Sequence, residues 1–153
     1  MTNLIQLSRK KVGNRSEKVW EALNEFLAFS EPQHLSPAQK AAALAYEYAS
    51  SIESGGHDHY FSLVPQPDHH EVISALRLIN AAEQAAILSA ALEAIRLAGR
   101  QAPQIYAKVW AAGVDRADLE EFDLAFGHCK KTVPQCLVDH VLSHDAAFIE
   151  WHE

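Results

Sequence analysis

Apolar residues fall three and four apart along most of this chain, the spacing that lays one stripe down an α-helix. Between residues 16 and 29, Val19, Trp20, Leu23, Phe26 and Leu27 share a face, and Pro32 closes the segment. A second helix opens with Ser36 as N-cap and Pro37 at the first helical position, and carries Ala41, Leu44, Ala45, Tyr48 and Ile52. Gly55 or Gly56 ends it, because glycine takes the left-handed conformation that other residues reach only with strain. His57 to Leu63 then forms one short turn aiming Tyr60 and Phe61 into the core, before Pro65 and Pro67.

Asp68 with Glu71 reads as a capping box for a third helix over Val72, Ile73, Leu76 and Ile79. Asn80 with Glu83 repeats the device for a fourth, over Ile87, Leu88, Ala91, Leu92 and Ile95, stopping at Gly99. Pro103 opens a shorter helix with Ile105, Tyr106, Val109 and Trp110, ended by Gly113. Asp115 caps the next, with Leu119, Phe122 and Phe126 inward. Thr132 with Gln135 caps the last, whose stripe is Leu137, Val141, Leu142, Phe148 and Ile149. No segment alternates as a strand would. The pattern predicts an all-α fold: a single compact domain of six or seven helices over residues 16–153, behind a basic N-terminal arm (1–15) free to move.

At 153 residues the chain is long enough to bury about two-thirds of its unfolded surface. No apolar run approaches the roughly 20 residues of a membrane span, and no apolar block follows Arg9, Lys10 and Lys11 as in a secretory signal. Cys129 and Cys136 suit a reducing cytoplasm better than a disulfide framework, with burial the default for both. Charge is unevenly spread. Residues 1–18 hold five basic residues against one acidic, so the remaining 135 carry 19 acidic against 8 basic, a net of −11. Such a body repels nucleic acid and attracts basic partners, although a solvated surface is the plainer reading.

The runs Leu35-Ser36-Pro37-Ala38-Gln39-Lys40 and Ser54-Gly55-Gly56-His57-Asp58-His59-Tyr60-Phe61 resemble a bacterial family of domains of unknown function that includes a DNA-mimic protein. That family's hallmark is a helix ending in Asn-Gly-Gly and an aromatic, then a Gln-aromatic-Phe run. Here Ser54 replaces the asparagine, His57 the aromatic and His59 the glutamine, while the glycines and Tyr60-Phe61 remain. Residues 72–95 resemble its paired helices, and Leu119-Glu120-Glu121-Phe122-Asp123 with Phe148-Ile149-Glu150-Trp151 its closing segment. The resemblance implies a helical, non-enzymatic protein, and in one relative an acidic dimer that occupies the DNA-binding surface of a transcription factor.

Mimicry sets a charge requirement. A domain of this length is roughly 38 Å across by the size rule, and duplex DNA of that length carries about 22 charges. The body's −11 is half of that, so the carboxylates must gather on one side. The candidate face is Asp115, Asp118, Glu120, Glu121 and Asp123 with Asp145 and Glu150, which the same spacing also permits to be an ordinary solvated helix surface.

Nine histidines are many for this length. His57-Asp58-His59 and His69-His70-Glu71 flank the proline loop, and His140 and His144 stand four apart on the last helix, where two imidazoles can share one metal. His128, Cys129 or Asp139 would have to complete such a site. The structural alternatives are imidazoles at helix ends bonding orphan carbonyls (His57, His59), exposed first-turn residues (His69, His70) and a boundary residue (His144). Nucleophile elbows and phosphate-cradling loops are absent, because Gly55-Gly56 follows a helix rather than a strand. Trp20 and Trp110 read as core, and Trp151 as an aromatic able to pack on a second subunit.

These observations predict a cytoplasmic interaction protein, monomer or homodimer, without cofactor or membrane attachment and with no direct nucleic-acid binding. It would bind an unidentified basic protein, such as a DNA-binding regulator, through the acidic face. The alternative is a metal-binding or metal-dependent module built on the histidine clusters, with His140 and His144 as ligands.

Overall fold

Helix starts follow from the side chains that satisfy their orphan N–H groups. Ser36 accepts a hydrogen bond from the Gln39 amide at 3.2 Å, and the Gln39 side chain accepts one from the Ser36 amide at 3.0 Å. Thr132 and Gln135 form the same reciprocal cap. Asp68 accepts from the amides of His70 and Glu71.

The computed structural model describes residues 3–11, 15–97 and 117–153. Among the described residues there are six α-helices: α1 (Arg15–Phe29), α2 (Pro37–Phe61), α3 (His69–Leu78), α4 (Ala82–Leu97), α5 (Ala117–Gly127) and α6 (Val133–Ser143). Two short strands, β1 (Ile5–Ser8) and β2 (Ile149–His152), complete the regular structure. The predicted helix between Pro103 and Gly113, the stop at Gly99 and the cap at Asp115 lie outside the described residues.

The predicted all-α class holds. Central α2 packs against α1, α3, α5 and α6, and α4 packs against α3 and α5. Tyr48, Tyr60 and Phe61 of α2 share one core with Leu23, Leu76, Leu88, Leu119, Leu137 and Phe148. Each such buried side chain contributes about 1.5–3 kcal/mol over its exposed state. No described helix is long and apolar enough to cross a membrane.

Three expectations change. First, a two-stranded parallel sheet is present, pairing Ile5 with Ile149 and Ser8 with His152. Residues 5–8 of the basic N-terminal segment are therefore anchored, with the Ile5 amide donating to the Phe148 carbonyl at 2.8 Å. Strands of four residues are too short to show alternation against a helical background. Second, Phe148 and Ile149 do not extend the last helix: α6 ends at Ser143, His144 leaves helical geometry (φ −130°, ψ 39°), and a 3-10 turn over Asp145–Ala147 leads into β2. Third, Asn80 stops α3 rather than starting α4. It adopts φ 62°, its amide bonds the Arg77 carbonyl, and the Ala81 amide reaches back to Leu76 at 2.8 Å, which is a Schellman motif.

Candidate functional site

Gly55 and Gly56 break α2 without ending it. Gly55 sits at φ −170°, ψ 20° and Gly56 at φ 72°, ψ −168°, and helix resumes at His57. The kink turns the next five residues inward, burying His57, Tyr60 and Phe61, while Ser54 and His59 stay exposed. Tyr60 and Phe61 reach the core as the sequence predicts.

His57 is fully enclosed and joins two helices. Its Nδ1–H donates to Asp123 Oδ1 of α5 at 2.6 Å, and its backbone N–H donates to the same oxygen at 2.8 Å. That leaves Nε2 to accept from the Tyr48 hydroxyl at 2.9 Å. Burial lowers the His57 pKa below the ordinary histidine value, outweighing the hydrogen bond and charge of Asp123 that raise it. The same cause pushes Tyr48 and Tyr60 well above the usual tyrosine range. Neutral Tyr48 and neutral His57 therefore lead through the core to the Asp123 carboxylate, ringed by Phe61, Phe122 and Phe126. Tyr48 and His57 are both wholly shielded from solvent and Asp123 is half-buried, so this hydrogen-bonded chain fixes α5 against the kink.

The other histidines divide by environment. His69 is buried rather than exposed, with Nδ1 hydrogen-bonded to the Tyr60 hydroxyl at 3.0 Å and its pKa lowered by burial. His57 likewise bonds side chains instead of helix-end carbonyls. His70 stays exposed. His140 and His144 stack with ring centroids 4.4 Å apart, and His144 Nδ1 is spent on the His140 carbonyl at 3.0 Å. Among the described residues no group of three or more His, Cys, Asp or Glu side chains could hold a metal ion. Cys136 is buried and Cys129 half-buried, and burial raises both thiol pKa values.

The described residues of the predicted acidic face lie on α5, on the turn after α6 and on β2. Glu120 and Glu121 are exposed on α5, whereas Asp123 on the same helix is committed to His57. Asp145 accepts from Trp151 Nε1 at 3.2 Å, which turns Trp151 onto its own chain, and Glu150 accepts from Gln6 at 2.7 Å. Asp115 and the side chain of Asp118 lie outside the described residues.

A family model described as DMP19-like protein matches residues 33–144, which run from the turn before α2 to the end of α6. The chain belongs to the DMP19-like family. No curated protein matches it, and no solved structure does. In this DMP19-like chain the matched span holds the whole kink and its Asp123 anchor.

Sequence reasoning passed over a second acidic region, longer and slightly larger in net charge. Residues 19–76 carry Glu21, Glu25, Glu31, Glu47, Glu53, Asp58, Asp68 and Glu71 against Lys40 alone, a net of −7 (eight acidic minus one basic). All of these carboxylates are exposed except Asp58, which is half-buried. Counting charge by segment along the whole chain, rather than from residue 115 onward, finds it.

Proposed function

We propose that this chain is a non-catalytic, cytoplasmic interaction protein that binds a basic protein, such as a DNA-binding regulator, by presenting carboxylates where that partner would meet phosphates. The observation that carries this reading is the acidic segment 19–76, seven of whose eight carboxylates are exposed; of those seven only Glu21 pairs with a lysine, Lys18, among the described residues. Glu120, Glu121 and Glu150 are exposed as well, on α5 and β2. Membership of the DMP19-like family supports it, through the family's resemblance to DNA mimicry. Charges so placed steer a basic surface and repel nucleic acid and anionic membranes.

Affinity capture from a lysate, eluted in rising salt, tests the reading. The expected outcome is a basic protein released by salt and displaced by duplex DNA. Retention unaffected by salt would contradict it.

A further inference from the structure

An open groove of about 910 Å³ runs beside α2, between the end of α1 and the start of α3. Lys40 and Ser54 both line it, so α2 forms its wall over 15 residues, about 21 Å at helical rise, and His59 lines it beyond the Gly55-Gly56 kink. Its apolar surface comes from Leu27, Leu35, Ala43 and Leu44. Glu47 and Glu71 stand on the lining, exposed, and neither makes an ion pair among the described residues.

We infer that this groove is the docking site for a basic amphipathic helix of a protein partner. A straight helical wall of this length matches a helix of about four turns, and apolar lining beneath unpaired carboxylates complements apolar side chains flanked by lysine or arginine. A second copy of the chain is a poor occupant, because it would set one net −7 region against another. The inference rests on the acidic-surface reading and locates it on α1, α2 and α3 rather than on α5.

The probe is an amidated peptide of about 14 residues, with leucine and lysine at helical spacing, titrated into the ¹⁵N-labelled full chain. Amide shifts should concentrate at residues 27–54 and 71. Glu47→Lys with Glu71→Lys should weaken binding about tenfold, since two attractions become repulsions. Leu44→Ser, on the groove lining, should weaken it several-fold with the exposed charges intact. Glu120→Lys with Glu121→Lys should change it by no more than about twofold. Losing binding through the α5 pair while the groove variants bind normally would overturn the groove and leave the acidic-surface reading standing. Equal loss from both charge reversals, with shifts spread over the surface, would also overturn the groove. No binding at any salt concentration would count against both.

Discussion

Asp123 occupies the space that a side chain on residue 56 would need: a Cβ there would lie 2.8 Å from the Asp123 carboxyl carbon. With φ at +72°, Gly56 is required twice, by its own backbone and by the carboxylate that holds His57. Gly56→Ala should therefore cost about 3 kcal/mol, combining left-handed strain with displacement of the Asp123 hydrogen bonds. Gly55→Ala would crowd the His59 Cβ at 2.8 Å but has extended φ and breaks no hydrogen bond to Asp123, so it should cost about 1 kcal/mol less. Urea denaturation of both variants checks this, and equal losses would contradict the account.

Removing the acceptor tests the same joint from the other side. Asp123→Ala leaves two N–H groups of His57 unpaired and should cost about 2–3 kcal/mol, whereas Asp123→Asn keeps an acceptor oxygen and should cost about half as much. Tyr48→Phe withdraws the donor to Nε2 and should cost about 1 kcal/mol. Chemical denaturation gives these values directly, and a harmless Asp123→Ala would show that the carboxylate does not hold α5.

Much of this architecture is legible in spacing and caps. Ser36, Pro37, Thr132 and Pro134 mark helix starts by local chemistry, and the glycine pair marks the kink because backbone conformation is written in residue type. The inward role of Asp123 was legible too, since it stands four residues after Leu119 and three before Phe126, on the stripe that faces the core. Its charge drew attention to solvent instead. The partners of His57 could not be read, because Asp123 lies 66 residues away and Tyr48, nine residues back, reaches His57 only across the bend at the glycines. The β1–β2 pairing is hidden for the same reason, since its strands lie at opposite ends of the sequence.

Acid should loosen this core. Burial holds the His57 and His69 pKa values below the unfolded value of 6.5, so the folded state binds fewer protons than the unfolded chain below about that pH. Their contribution is fully present above 6.5 and is lost as pH falls through the lowered folded values. Urea midpoints should decline between pH 7.5 and pH 5, and a midpoint that holds or rises would contradict the neutral, buried assignment.

Gln39 ties the sheet to the helices. Its side-chain N–H groups donate to the carbonyls of Asn3 at 2.8 Å and Ala147 at 3.1 Å, just before each strand begins. Gln39→Ala should cost about 2 kcal/mol by leaving buried groups unpaired. Faster hydrogen exchange at residues 5–8 and 149–152, with α3 and α4 unchanged, is the expected signature. Unchanged exchange in both strands would remove Gln39 from this role.

The central claim is that exposed carboxylates bind a basic protein surface. The most direct measurement is the dissociation constant of the captured partner for the full chain at salt concentrations from 50 to 500 mM, with duplex DNA as competitor. The account predicts that affinity falls by at least about tenfold over this range, and that DNA and the chain exclude each other from the partner. An affinity independent of salt, or a partner that holds DNA and the chain together, would contradict it.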